Sequence, residues 1–461
     1  MLSRSRPTEP VPPAVDAEEE AVAGGQPAAE AVATGPPEGG GSGRQALWTV
    51  VDQVLSSVAN FGLTIAVARE VDQVAAGAFA YAFLVLSFGL GVSRAISTDP
   101  LVIRFSAASA EARARAVTAA AGAMIMLGLV AGLVCALAGV LVGDVLGAAL
   151  LLLVLVMPGQ FVQDSWRSAA FASRNARRAA ANDAVRVVVQ FSGLGLCAAL
   201  GVQDLRWFMV AWAVGAWTAG LFGMWQFRAA LSPRASVGWL RSNAGLSVRL
   251  GAGYAINMGA VTLTTTLLTG MLGLVATGGL RFAQTVLGPM QVAFGALTSF
   301  MIPLLARRLA ARGARTLLRP AVLVSAGATT LCVLVVTTLL LLPSSVGEQL
   351  LGSSWAGARE VMAPVGVGQC LVALALGGSL PLLAMGRGDL MLRVTSVQAP
   401  LLLGFGLGGA ALAGISGAAW GMAAAQAVGC VLVLVLGIRA MRSGDVRTAP
   451  ADEPAVDLGA G

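Results

Sequence analysis

Residues 117–142 read VTAAAGAMIMLGLVAGLVCALAGVLV, an apolar run of 26 residues without one charge. As a helix it would be about 39 Å long, more than the ~30 Å hydrocarbon core of a bilayer. Working outward from it, eleven further apolar segments fall near 46–68, 74–96, 146–166, 181–202, 206–227, 250–272, 278–304, 320–343, 357–384, 391–413 and 416–438. The expected fold class is therefore all-α integral membrane, with twelve transmembrane helices.

The whole chain agrees with that run. Of 461 residues, 57% are hydrophobic and 11% charged, and the mean hydropathy is +0.80. Soluble domains carry about 25% charged residues. There is no His, and all 30 basic residues are Arg. A chain without Lys has no Walker A loop and no Schiff-base lysine, and one without His has no imidazole base and no HExxH zinc site. The five cysteines sit singly in apolar segments with no CxxC spacing, which implies neither a disulfide framework nor a metal site. No catalytic residue, metal or cofactor is expected. The net charge of +7 is spread between apolar spans and does not point to nucleic acid. Abundant Ala, Gly and Arg suggest a bacterial source.

Arginine placement orients the segments. With the N-terminus in the cytoplasm, 26 of the 30 Arg fall in cytoplasmic segments, and only Arg69, Arg206, Arg281 and Arg359 lie on the outer side. This is the positive-inside pattern. It predicts a multi-pass protein of the bacterial cytoplasmic membrane with both termini cytoplasmic. Outer loops are short, which leaves no room for an extracytoplasmic catalytic domain.

The two halves repeat. Gly77 is followed by Pro100 and Arg104, and Gly279 by Pro303 and Arg307, at nearly equal spacings. The expected organisation is a disordered cytoplasmic tail over 1–45, a six-helix bundle over 46–228 and a cytoplasmic linker over 229–249. A second six-helix bundle over 250–440 and a disordered tail over 441–461 complete it. Six spans on each side make the two pseudo-symmetric bundles parallel repeats around a central cavity. The first tail is low in complexity and acidic at Glu18-Glu19-Glu20, and lacks the apolar core of a signal peptide.

Polar residues inside spans mark the places to look, because a charge at the centre of a bilayer costs ~2.5–3.5 kcal/mol on insertion scales. Asp52, Gln53, Ser56, Ser57, Asn60 and Thr64 share one face of the first span, which looks toward a cavity or a neighbouring helix. Asp164 with Arg167, and Asp183 with Arg186, stand at i, i+3, so each pair is expected to neutralise itself on its own helix. Together they would form a gate latch, a head-group site or a solvated interfacial network. In the eighth span Arg281, Gln284, Gly288, Gln291 and Gly295 follow helical steps, and Pro289 should kink the helix. Arg281 either snorkels to outer head groups or faces the interior. Gln369, Gln398 and Gln426 lie deep in the last three spans, lining a cavity or bridging helices.

Three stretches resemble a known family. Trp48-Thr49-Val50-Val51-Asp52-Gln53 with Ser56, Ser57 and Asn60 is similar to the opening helix of polysaccharide flippases. These belong to the multidrug/oligosaccharidyl-lipid/polysaccharide exporter superfamily. Gln163-Asp164-Ser165-Trp166-Arg167 through Arg174, with Asp183, resembles the fourth and fifth helices of actinobacterial members. Gly279 through Pro289, ending at Pro303, resembles their eighth helix. The resemblance implies two six-helix bundles forming a V, alternating access, and a polyprenyl-pyrophosphate-linked glycan as cargo. It also implies a cationic cavity, to which Arg281 and Arg186 correspond.

On this reading the chain is a monomeric flippase for lipid-linked oligosaccharide in cell-surface polysaccharide assembly, not an enzyme. Its partners are the glycan substrate, membrane lipids and, as an option, a coupling proton or sodium ion. Arg281, Gln284, Gln291, Arg186 and Asn60 are the candidate substrate-binding residues, and Asp52, Asp164, Arg167 and Asp183 the candidates for gating or coupling. The alternative is a cation-coupled multidrug exporter with a negative cavity. A membrane glycan polymerase or ligase is a more distant one. The topology has a direct test in a Cys-free background: a single cysteine at position 238 should resist an impermeant thiol reagent applied from outside. Labelling there would break the twelve-span count.

Overall fold

The computed structural model describes residues 42–444 apart from Ala107 and Ala230, and the expected tails lie mostly outside the described residues. Over that range the chain is helical. The first half comprises α1 (Ser42–Glu70), α2 (Gln73–Phe105), α3 (Ala110–Val142), α4 (Asp144–Ala172), α5 (Ala176–Ala199) and α6 (Leu205–Phe227). The short helix α7 (Pro233–Ser242) leads to α8 (Ala244–Leu272), α9 (Leu274–Val286) and α10 (Gly288–Arg312). The rest is α11 (Leu318–Leu340), α12 (Ser344–Leu351), α13 (Trp355–Ala384) and α14 (Gly388–Ser443).

Every expected span falls on a helix, but not as twelve separate elements. Among the described residues nine helices are long and apolar enough to cross a membrane, or ten when the two bent parts of α8 count as one. Helix α5 is not among them, because Asn182, Asp183, Arg186 and Gln190 dilute its apolar run. Helix α14 supplies two passes. Ala413 and Gly414 leave helical geometry, Gly414 at φ +61°, a backbone state that favours glycine. Past this break the limbs fold back on each other: Gln398 donates to Gln426, and Gly409 meets Gly417 backbone to backbone. The eighth span is broken into α9 and α10 just before Pro289, which then occupies the first turn of α10, where its missing N–H is harmless. The expected tails also begin too far in: residues 42–45 and 441–443 are helical. The 229–249 stretch is largely helix, and α7 docks on the first half through Trp239, whose indole donates to the Ser97 carbonyl at 3.3 Å.

Glycine sets the close helix pairs. Gly128, Gly132 and Gly139 of α3 lie against Pro158, Val154 and Gly147 of α4. These pairs are centred on Gly143, whose φ of +70° makes the turn between the helices. Without water between helices, association rests on backbones approaching this closely. The neighbour pattern repeats in the second half, where α11 packs on α13, α13 on the second limb of α14, and α8 on α14. The result is two six-helix lobes of like orientation.

At the face away from the termini the lobes touch. Gly77 of α2 meets Leu274 and Gly278 at α9, Gln73 Nε2 donates to the Ser353 carbonyl at 2.7 Å, and Ser354 Oγ to that of Ala68 at 3.2 Å. Toward the termini face they stay joined along one flank. There a π-helical turn in α2, Arg94–Thr98, frees the Ile96 carbonyl to accept from Ser247 of α8 at 2.7 Å. On the other flank α1 and α10 make few contacts, and a cavity opens between them.

Gly132 shows how much this packing depends on a missing side chain. A Cβ there would stand 2.9 Å from Val154 Cα, and backbone cannot move aside. Gly132→Leu should cost about 1–3 kcal/mol, read as a lowered unfolding midpoint in detergent. Gly195→Leu, whose Cβ would meet nothing within 4 Å, should leave the midpoint unchanged.

Candidate functional site

The first lobe buries a charge network. Asp52, Asp164, Asp183 and Arg186 are each 3% exposed or less. The expected self-pairing along each helix does not occur; the pairs run between helices. Arg167 of α4 reaches α1, where its Nε donates to Asp52 Oδ2 at 2.8 Å and its Nη2 to Gln53 Oε1 at 2.9 Å. The same Nε lies 3.8 Å from Asp183 Oδ2 on α5. Asp164 pairs instead with Arg94 of α2, whose Nε donates at 2.7 Å while Nη2 engages the other oxygen. This fork–fork geometry is the strong form of the contact. An i, i+3 spacing permits a pair without requiring it, and here each guanidinium finds its carboxylate on another helix.

Amides complete the network. Gln163 Nε2 donates to Asp183 Oδ1 at 2.7 Å and to Asn182 Oδ1 at 3.1 Å, and Asn182 Nδ2 to the Ala219 carbonyl of α6 at 2.8 Å. Gln190 Nε2 donates to the Ala59 carbonyl at 2.8 Å. Arg186 leaves Asp183 to these partners and donates from Nη2 to Asn60 Oδ1 at 2.7 Å. Three carboxylates and three guanidiniums thus sit among α1, α2, α4 and α5. Sequence reasoning missed Arg94, Asn182 and Gln190; the only available signal was an Arg shortly before Asp99-Pro100 and polar residues at helical spacing in α5.

The second feature is the central cavity, about 1070 Å³ in volume, at the upper end of small-molecule sites. Helix α1 contributes Ser57, Asn60 and Thr64, and the α9–α10 span contributes Arg281, Gln284, Gly288 and Gln291. The polar face expected on the eighth span therefore runs through the break into one wall, although Gly295 is not part of it. Gln369, Gln398 and Gln426 both line the cavity and bridge helices: Gln291 Nε2 donates to Gln369 Oε1 at 2.8 Å.

Among the described lining residues Arg281 is the one charged side chain. Its guanidinium carbon lies 4.8 Å from the centre of the Phe83 ring on α2, a cation–π contact between lobes. No carboxylate or hydrogen-bond acceptor among the described residues meets that guanidinium. It faces the cavity between the lobes. Asp52, Asp164, Arg167, Asp183 and Arg186 do not line the cavity. Of the residues expected to bind substrate, Arg281, Gln284, Gln291 and Asn60 come together there, and Arg186 stands behind Asn60. Such a space can hold a large ligand with a compact anionic part, the charge at Arg281 and polar groups among the amides.

Removing one partner of the network should expose how it is balanced. Arg167→Met leaves Asp52 buried without its guanidinium and should cost about 3–5 kcal/mol in the denaturation midpoint. Adding Asp52→Asn should recover part of the loss, so the double variant is less than additive. Full additivity would mean that the two side chains do not interact.

In sequence the chain matches no protein-family model and no curated protein. Its fold does match solved structures. An inward-facing multidrug resistance MATE family transporter of the MOP superfamily superposes with a TM-score of 0.64 at 13% identity, over 86% of this chain and 98% of the other. The lipid II flippase MurJ, in an inward closed conformation, does so at 0.64 and 10% identity, over 84% and 87%. A MOP superfamily transporter from Pyrococcus furiosus, described by the reverse polarity of its binding pocket, gives 0.56 and 13%, over 93% and 98%. At these identities the likeness is one of fold. The multi-pass, all-helical, two-lobed architecture is the one found in MATE and MurJ transporters.

Proposed function

We propose that this protein is a flippase that carries a polyprenyl-pyrophosphate-linked oligosaccharide across the bacterial cytoplasmic membrane by alternating access. The observation that carries the reading is the sign of the cavity: Arg281 is its one charged lining residue among those described, and no carboxylate faces it. A pyrophosphate entering a low-dielectric space needs a counter-charge, and guanidinium supplies a permanent, bidentate one. Gln284 and Gln291 on the same wall suit sugar hydroxyls. The fold shared with MATE and MurJ transporters supports transport as the class of activity.

The open flank suits an amphipathic cargo. On α1 the polar residues Ser57, Asn60 and Thr64 stand beside Val54, Val58 and Phe61, which are exposed and also line the cavity. The head group would enter along the polar stripe while the polyprenyl chain stays in lipid. Rocking of the lobes about their contact at α2, α8 and α9 would then alternate access. A cation-coupled multidrug exporter would want a carboxylate in the cavity. Asp52, Asp164 and Asp183 all face arginines or amides behind α1. They suit gating or coupling in the flippase, with energy from an ion gradient or from removal of the product.

Arg281 substitutions test this reading. In proteoliposomes carrying a fluorescent polyprenyl-pyrophosphate glycan, Arg281→Ala should weaken apparent affinity by about 10- to 100-fold, roughly the 1.5–3 kcal/mol of a hydrogen bond to a charged group. Arg281→Gln should resemble it, and Arg281→Lys should retain part of the transport. Wild-type transport by Arg281→Ala, with normal folding, would remove the anionic cargo from the proposal.

A further inference from the structure

Asn60 stands where the buried network of the first lobe reaches the cavity. It lines the cavity, while its Oδ1 accepts from Arg186 Nη2 at 2.7 Å. A guanidinium has no acceptor, so this contact admits one orientation of the amide. The carbonyl must turn toward Arg186, and the NH2 group must turn away from it. No partner among the described residues takes up that NH2 group. Arg186 itself is 3% exposed and does not touch the cavity.

The neighbours of Arg186 explain why it is free to do this. Asp183, three residues earlier on the same helix, is engaged by Gln163 and lies beside Arg167. One oxygen of Asp183 has no hydrogen-bond partner, yet no ion pair joins it to Arg186, whose Nη2 turns to Asn60 instead. Its Nε finds no hydrogen-bond partner either, so the contact with Asn60 is its one hydrogen bond from Nη2 or Nε among those described. Gln190, a turn further along α5, fixes the local approach of the helices by donating to the Ala59 carbonyl.

We infer that Arg186 is a positioning residue that fixes the polarity of Asn60, so that the first lobe offers two neutral N–H donors to the phosphate head group whose charge Arg281 of the second lobe balances. The inference rests on the proposed function and deepens it. An unpinned amide can turn over, and a carbonyl aimed at a phosphate repels it. Pinning the amide therefore converts an indifferent side chain into one that selects anions, without a second fixed cation in the cavity. It also gives the ligand a contact on each lobe, α1 on one side and α9 on the other.

The test is equilibrium binding of a short-chain prenyl pyrophosphate to the purified full-length protein, with the uncharged prenyl alcohol as control and the unfolding midpoint measured alongside. Asn60→Asp keeps an acceptor for Arg186, so the fold should hold, but it removes both donors. It should lower pyrophosphate affinity by at least about tenfold and leave alcohol binding unchanged. Arg186→Gln presents either end of an amide to Asn60 and should weaken pyrophosphate binding several-fold. Arg186→Lys, again a pure donor, should restore most of it. If Asn60→Asp and Arg186→Gln bind pyrophosphate within twofold of wild type, Arg186 serves only to join α5 to α1 and the inference is overturned. If Arg186→Gln does not fold, Asn60→Ser, which keeps an acceptor for Arg186 without adding a charge, should lose pyrophosphate affinity as Asn60→Asp does, and binding within twofold of wild type there overturns the inference. Loss of binding in Arg281→Ala with full binding in the Asn60 and Arg186 variants sinks this inference and keeps the flippase reading. A wild type that does not prefer pyrophosphate over alcohol sinks both.

Discussion

A carboxylate inside a bilayer must meet a cation or a set of donors, because neither lipid nor a packed helix solvates it. Asp52, Asp164 and Asp183 set that requirement for the first lobe. Arg167 and Arg94 answer it from α4 and α2, and Gln163 and Asn182 tie the remainder to α5 and α6. Five of the six spans of the lobe are thereby held in one relative arrangement. Such a network is weak as a source of net stability, since desolvation offsets much of the attraction. Its effect is on arrangement: each of these guanidiniums bonds a group on another helix, which sets the faces that meet.

The network also decides the character of the cavity by subtraction. Asp52, Asp164 and Asp183 are each turned toward an arginine or an amide within the lobe, and none of them lines the central space. Among the described residues the polar part of the walls is a set of amides, hydroxyls and one guanidinium on an otherwise apolar lining. A lobe that satisfies its own charges internally can present a nearly neutral face to the cavity, and the sign of that space then falls to the second lobe. Asn60 is where the two regions touch, with one end of its amide in each.

Glycine acts at the scale of the whole lobe. The α3–α4 hairpin and the two limbs of α14 come together at positions where a Cβ would meet backbone. That contact substitutes for the hydrophobic effect, which offers no drive between helices already in lipid. Rigid hairpins of this kind let a lobe move as a body. The lobes share a firm contact at one face and along the α2–α8 flank, which leaves the α1–α10 flank as the side with room to open.

Composition and hydropathy alone determined that this is an all-helical membrane protein, roughly where its apolar helices lie, and that the eighth span carries a polar face broken near its proline. These properties are local: a bilayer demands apolar length, and a helix repeats every 3.6 residues, so both are written along the chain. The partners of the charges were not legible there. Asp164 and Arg167 are three residues apart and each bonds elsewhere, to Arg94 some seventy residues earlier and to Asp52 more than a hundred residues away. Arg186 looked like a cavity residue and stands behind one, bonded to Asn60, while Asp183 accepts from Gln163 and lies beside Arg167. Pairing between helices depends on which faces meet, and only the packing of α1, α2, α4 and α5 against one another decides that.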